Sequence, residues 1–279
     1  MTSPARPCHN QSMKLAWLTD IHLNFLRPAA VEAFLDMLAG AEADAFVITG
    51  DIAEADDVAI HLHSITARAE RPVYFVLGNH DFYRGSIAGV RKTVGSLCSV
   101  TPNLRWLSDV NAVPLTDDAC LIGHDGWGDG RFGDYHGSDV MLNDFGLIAE
   151  FGGFEENADE RLAKLYALGD EAAEHFRAVL PDALYQFRHV IVATHVPPFR
   201  EACWHEGKVS DDNWLPFFSC KAVGDALVEA MAAAPDRTMT VLCGHTHGGG
   251  ESLILPNLRV LTGGARYGRP EVQRLIAVD

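Results

Sequence analysis

The chain has 279 residues, 48% of them hydrophobic, and a formal net charge of -16 at pH 7. That length suits one large α/β domain or two small ones, and the apolar share is ordinary for a soluble globular protein. With 38 Asp and Glu against 22 Lys and Arg, the balance argues against a duplex-coating role, which needs a basic footprint to displace counterions from phosphates.

Residues 1–12 read as a mobile polar tail with no apolar core of signal-peptide length. No run in the chain is long enough to span a bilayer. Six scattered cysteines form no Cys-x-x-Cys pair and no disulfide framework, so reduced thiols and a cytoplasmic location are expected. Without a Pro-, Gly- or Ser-rich linker or an internal repeat, residues 13–279 read as a single domain.

Met13 to Thr19 reads as the first strand, ending at Asp20-Ile21-His22. A helix starts at Pro28, repeats apolar residues at Val31, Phe34, Leu35 and Leu38, and stops at Gly40. The strand Ala45 to Thr49 runs into Gly50-Asp51. A second helix, Asp56 to Glu70, is closed by Arg71-Pro72; its His61 and His63 are two apart, do not face each other, and read as surface or packing residues. Val73 to Leu77 leads into Gly78-Asn79-His80-Asp81, and a third helix covers Ser86 to Leu97. Short strands follow near Leu104 to Leu107, Val113 to Leu115 and Ala119 to Ile122.

From His124 to Gly153 periodicity stops, in a segment rich in glycine, acids and aromatics. A loop this long in a compact domain is functional or disordered, and the aromatics favour function. Asn157 with Glu160 resembles a capping box and opens a helix expected to reach Val179 or Leu180, where Pro181 ends it. Val190 to Thr194 leads to His195. A second irregular stretch, Val196 to Cys220, starts one residue later and should overhang whatever His195 serves; its Cys203 and His205 lack partners for a metal site of their own. After a helix from Lys221 to Ala234, the strand Met239 to Cys243 runs into Gly244-His245-Thr246-His247. Strands near Ser252 to Leu255, Leu258 to Leu261 and Val272 to Val278 complete the chain.

Five strands therefore end in short segments bearing carboxylates, an amide oxygen and imidazoles, a ligand set that divalent first-row metals favour. Loops at the carboxyl ends of strands converge from distant parts of a sequence. Asp20 and His22, like His245 and His247, are two apart and in an extended segment would point the same way. Gly50, Gly78 and Gly244 would let the backbone turn beside a crowded site. Each segment alone could be an ordinary turn; their joint occurrence, each behind a strand, points to a metal site.

In these motifs the chain resembles the calcineurin-like metallophosphoesterases, whose pattern is Asp-x-His, Gly-Asp, Gly-Asn-His-Asp/Glu, His and Gly-His-x-His. The resemblance spans Asp20 to His247 with no position departing from the pattern. It implies a four-layer α/β/β/α sandwich with two mixed β-sheets, where periodicity alone gives only α/β with mixed sheets. It also implies two metal ions: one held by Asp20, His22, Asp51 and His247, the other by Asp51, Asn79, His195 and His245, with Asp51 bridging. Their identity is open among manganese, iron and zinc, and the lack of thiolate favours manganese or iron. His80 would face the scissile phosphate. Asp81 could orient the His80 ring or be a plain turn carboxylate.

The implied reaction is attack of a metal-bridging hydroxide on a phosphate ester, with His80 stabilising phosphoryl oxygens or protonating the leaving group. The expected substrate is a small phosphodiester, cyclic or nucleotide-derived diesters included. The alternatives are a phosphomonoesterase on a small phosphorylated metabolite and a non-catalytic scaffold, which would be expected to have lost a ligand or His80. No membrane or duplex nucleic-acid partner is expected. The two irregular segments, at about 124–156 and 196–220, would form the wall that selects the leaving group, with Trp127, Arg131, Tyr135 and Trp214 as candidates and Arg131 as a phosphate donor. The competing reading has these aromatics pinning a loop and Arg131 answering nearby acids.

Overall fold

The computed structural model describes residues 12–153 and 157–279; apart from Ser12, the expected tail lies outside them. One sheet takes the order β13–β1–β2–β3–β4, from Arg274–Val278, Met13–Leu18, Ala45–Thr49, Val73–Val76 and Leu104–Trp106. β1 to β4 are parallel and β13 closes one edge antiparallel. The other sheet takes the order β11–β12–β10–β7–β6–β5, from Gly250–Leu255, Leu258–Thr262, Thr238–Cys243, His189–Thr194, Ala119–His124 and Val113–Pro114. Its four central strands are parallel and both edges antiparallel.

Period-two alternation sorts the strand residues into layers. Leu15, Trp17 and Val47 of the first sheet bury against Leu121, Ile191 and Leu242 of the second. Ala16, Leu18, Phe46 and Ile48 face the other way, into a core shared with α1 (Pro28–Ala39), α2 (Val58–Ala69) and α3 (Ile87–Val100). The outer face of the second sheet, including Ile122, Val190 and Val241, packs under α5 (Ala158–Gln186) and α7 (Lys221–Ala233). The result is the α/β/β/α sandwich. Strands covered on both faces read as continuous apolar runs, which is why β2, β3 and β7 stand out in the sequence.

Asn157 caps α5 as expected, its Oδ1 accepting from Glu160 N at 3.2 Å, and Ser86 caps α3, its Oγ accepting from Gly89 N at 3.0 Å. The expected stop at Pro181 does not occur: α5 runs through it to Gln186. Proline inside a helix costs about 3 kcal/mol, but Leu180, Ala183 and Leu184 around and beyond it are buried in the outer core, and each large apolar side chain gains about 1.5–3 kcal/mol there. Packing outweighs the local signal.

The first irregular segment holds one short helix, α4 (Asp144–Leu147), and the second holds a small hairpin, β8 (Trp204–His205) with β9 (Lys208–Val209), and α6 (Leu215–Phe218). They are tied to each other: Asp129 N donates to Ser219 O at 2.9 Å, Gly130 N to Pro216 O at 2.8 Å and Asp134 N to Asp212 O at 2.8 Å. Among the described residues no helix is long and apolar enough to cross a membrane.

Candidate metal centre

All seven expected ligands lie just beyond the carboxyl ends of β1, β2, β3, β7 and β10. Past the strands, β1 and β2 keep running side by side: Asp20 N donates to Gly50 O at 3.0 Å and His22 N to Asp51 O at 3.0 Å. The expectation that Asp20/His22 and His245/His247 converge because their segments are extended does not hold. Asp20, His22, Asp51, His245 and His247 all have left-handed backbones, with φ of 49°, 41°, 54°, 70° and 58°. For non-glycine residues such conformations cost of order 1–3 kcal/mol each and concentrate at functional sites. Gly50 also turns left-handed, at φ 88°, whereas at Gly78 and Gly244 the need is space: a Cβ would overlap Asp51 Oδ1 or Asp20 Oδ2.

The ligand atoms form two adjoining groups. In the first, Asp20, His22, Asp51 and His247 each bring one donor atom, all within 4.8 Å of one another; His22 Nε2 lies 3.1 Å from His247 Nε2 and 3.7 Å from Asp51 Oδ2. In the second, Asn79 Oδ1 lies 3.1 Å from His195 Nε2 and 3.0 Å from His245 Nδ1, and His195 Nε2 lies 3.3 Å from Asp51 Oδ1. Asp51 thus presents one carboxylate oxygen to each group.

Neighbouring carbonyls fix which imidazole nitrogens face inward. His195 Nδ1 donates to Thr49 O at 2.8 Å and His245 Nε2 donates to Phe217 O at 3.0 Å, leaving His195 Nε2 and His245 Nδ1 as lone pairs directed at the second group. Burial, opposed by Asp20, lowers His22 to about 3. Burial and the His195 charge lower His245 to about 3. Both rings are therefore neutral, as metal ligands must be. Burial works to raise Asp20, but the hydrogen bond with His247 and the surrounding imidazoles hold it well below the usual carboxylate range. Burial and the adjacent Asp20 raise Asp51 instead. Two buried carboxylates competing for charge beside converging lone pairs make an arrangement that a cation relieves, so this donor set fits metal ions.

His80 does not join either group through its ring. Its Nε2 stands 4.0 Å from Asp51 Oδ2, and the ring stacks on Tyr83 at 4.3 Å between centroids. Asp81 does not orient that ring: Asp81 Oδ1 accepts from Ile52 N and Ala53 N at 2.9 and 2.8 Å, and Oδ2 accepts from Gly78 N at 2.8 Å. It is a turn carboxylate that ties the Asn79 loop to the Asp51 loop.

Asp144 was not foreseen as part of the site. Its Oδ1 accepts from Asn79 Nδ2 at 2.8 Å and from Tyr83 Oη at 2.7 Å. The only signal in the sequence is that it belongs to an acidic, aromatic insertion. Phe217, whose carbonyl holds His245, acts through its backbone and leaves no side-chain trace.

The four candidates for a selective wall separate. Trp127 is buried, packed between Phe82 and Phe151. Tyr135 is buried too, its hydroxyl donating to Ala158 O and accepting from Arg161 Nε at 2.8 Å. Arg131 pairs with Asp129 and Asp170 at 3.0 and 2.8 Å and covers the Tyr166 ring, so its guanidinium is engaged away from the ligands. These three side chains are held by packing and pairing within the insertion and its neighbours. Trp214 lines a cavity of about 350 Å³ that also opens on Asp51, Asn79 and His80, whereas Trp127 meets Asn79, His195 and His245 only across a buried crevice of about 10 Å³. Leu142 and Phe218 also line it, Phe218 stacked on Trp214 and set against the His245 ring, and Tyr267, which the sequence did not single out, lines it beside the rings of His22 and His247. Cys203, buried with its thiol donating to Phe199 O and Phe218 O, offers no ligand.

The calcineurin-like phosphoesterase family model matches residues 13–249. Among curated relatives, the UDP-2,3-diacylglucosamine hydrolase of Xanthomonas oryzae pv. oryzae is 33% identical over 125 residues, covering 40% of this chain and 46% of that protein. The enzyme of the same name from Bordetella pertussis is 45% identical over 84 residues, covering 25% and 33%. The chain thus spans about half the length, or less, of these relatives. Among solved structures, a phosphopantetheinyl hydrolase from Mycobacterium tuberculosis superposes with a TM-score of 0.67 at 16% identity, covering 95% of each chain. A dimetal phosphatase from Danio rerio superposes at 0.54 with 13% identity, covering 90% and 87%. At those identities the structural likeness speaks to the fold.

Proposed function

The chain belongs to the calcineurin-like phosphoesterase family, a metal-dependent class of phosphoester hydrolases, and from that premise we propose that it cleaves a small phosphodiester. The observation that carries the choice of diester is the form of the cavity. Aromatic walls stand at both ligand groups: Trp214 and Phe218 stack on each other with Phe218 against the His245 ring, and Tyr267 stands against the rings of His22 and His247. A diester has an organic group to place against each wall, whereas a monoester needs one. The relatives named for hydrolysis of UDP-2,3-diacylglucosamine point likewise to an organic phosphoester.

In this reading Asp20, His22, Asp51 and His247 hold one metal and Asp51, Asn79, His195 and His245 the other. Two divalent cations held there would neutralise phosphoryl charge and lower the pKa of water. The protein's own part is to place groups. Thr49 and Phe217 carbonyls hold the two His tautomers, Asp144 aims the Asn79 oxygen, and the paired walls orient the ester. His80, stacked on Tyr83 and lining the cavity, would hold a phosphoryl or leaving oxygen through its ring N–H. Manganese or iron suits the N,O ligand set better than a thiolate-preferring metal. A cytoplasmic setting is consistent with Cys98, Cys120, Cys203, Cys220 and Cys243 being free thiols, as in a reducing compartment. The acidic surface favours a small phosphorylated molecule over duplex nucleic acid.

The test is turnover of bis(p-nitrophenyl) phosphate against p-nitrophenyl phosphate with added manganese. A higher kcat/KM on the diester is expected; a preference for the monoester would replace this reading with a phosphomonoesterase.

A further inference from the structure

The loop between β12 and β13 turns over the edge of the site at Arg266-Tyr267-Gly268-Arg269. Arg269 N donates to Arg266 O at 3.0 Å and Gly268 sits at φ 76°, the signature of a type II turn with glycine where a left-handed residue is required. The first and last residues of such a turn are within about 7 Å of each other at Cα, so a single turn carries both arginines, and both border one cavity. The loop is anchored to the site: Ala265 N donates to the carbonyl of His247 at 3.2 Å, and Gly264 N to Gln273 Oε1 at 3.0 Å.

Arg266 and Arg269 line a second cavity of about 470 Å³ that opens beside His247. Other arginines are drawn into ion pairs with acidic neighbours, among them Arg68, Arg84, Arg91, Arg131, Arg200 and Arg274. Among the described residues neither Arg266 nor Arg269 has such a partner, although Glu271 borders the same cavity. Between them stands Tyr267, 52% exposed, its ring 4.7 Å from that of His22 and 4.9 Å from that of Phe25, itself 53% exposed. An exposed aromatic pair and two unpaired guanidiniums thus adjoin the His22–His247 side of the ligand cluster, whose own cavity is lined by no Lys or Arg.

We propose that Arg266 and Arg269 form a subsite for a second, non-scissile phosphate, so that the substrate is a diphosphate-containing ester with Tyr267 and Phe25 against its organic group. This rests on the phosphodiester reading of the metal centre and narrows it. A planar guanidinium donates two parallel hydrogen bonds to a phosphate, and two of them match a group already bearing negative charge.

The experiment compares binding of AMP and of the α,β-methylene analogue of ADP to manganese-reconstituted protein by calorimetry, with equal free manganese throughout. The base and ribose are common to both ligands, so their ratio isolates the second phosphate. The wild type is expected to bind the diphosphate about tenfold or more tightly than AMP, since hydrogen bonds to charged groups contribute on that scale. Arg266→Ala with Arg269→Ala should bring the ratio to within about twofold, and the wild-type preference should fall steeply with added salt. Equal affinities in the wild type, a preference retained by a folded double variant, or a preference unaffected by salt would each overturn the subsite. If the double variant does not fold, Arg266→Lys and Arg269→Lys separate the case, because they keep the charge and lose the bidentate fork; an unchanged ratio in both would count against the proposal. Absence of bis(p-nitrophenyl) phosphate turnover in the wild type would overturn the diester reading alone, and the calorimetric ratio would still decide the subsite.

Discussion

Asp144 Oδ1 accepts a hydrogen bond from Asn79 Nδ2 at 2.8 Å across 65 residues of sequence, and so turns the Asn79 amide oxygen toward His195 and His245. Tyr83 Oη donates to the same carboxylate oxygen at 2.7 Å and carries the His80 ring on its face. One buried acid in an irregular insertion thus sets both an expected ligand and the ring beside it. Replacing Asp144 with Ala should weaken metal binding at the Asn79 group about 10- to 100-fold while leaving the His22–His247 group loaded. Metal titration followed by competition with a chelator reads the two affinities separately.

His80 offers a sharper separation between chemistry and binding. His80→Ala should lower kcat by about 10²- to 10⁴-fold with metal content unchanged, because its ring joins neither ligand group. Loss of metal from this variant would move His80 among the ligands.

Much of this was legible because the strands are covered on both faces and because each ligand follows its strand end directly. Asp20, Asp51, Asn79, His195 and the two C-terminal imidazoles could be located by position alone. What was not legible depends on contacts between distant, irregular segments. Trp127 and Tyr135 look alike on paper to Trp214, yet the first two are sealed into the core and only the third borders the cavity. Pro181 signals a helix end that buried neighbours override. Tyr267 sits in a short polar turn whose place over His22 follows from the antiparallel return of β13 along β1, and no local pattern announces that.

Arg131 is a structural residue in this account. It bridges buried Asp129 and exposed Asp170, and Asp129 Oδ2 also accepts from Ala222 N at 2.8 Å at the start of α7. Arg131→Ala should destabilise the fold by about 1–3 kcal/mol, the cost of leaving a buried acceptor short of a partner, and should lower activity on large and small esters equally. Chemical denaturation alongside kinetics on two leaving groups checks both halves.

His124, at the end of β6, is buried, and its Nδ1 accepts from Gly126 N at 3.1 Å. Burial is the main cause that lowers it to about 4; Asp125 and Glu171 oppose the shift, and His175 and Arg91 add to it. Above pH 6.5 the ring is neutral folded or unfolded and costs nothing. As the pH falls from 6.5 toward 4 the unfolded chain takes the proton first, so stability is lost over that window and levels off below it, by about 3 kcal/mol in all. His124→Asn should flatten the stability profile between pH 7 and 4 relative to the wild type. Parallel profiles for the two proteins would show that His124 is not the titrating group.

The central claim is that one carboxylate, Asp51, serves two metal ions, as its oxygens facing His22 and His195 at 3.7 and 3.3 Å suggest. Elemental analysis of wild-type protein and Asp51→Asn after manganese reconstitution, with bis(p-nitrophenyl) phosphate turnover on the same samples, tests it directly. The account predicts about two ions per wild-type chain, and for the variant a loss of metal together with turnover. Full metal occupancy in Asp51→Asn would contradict it.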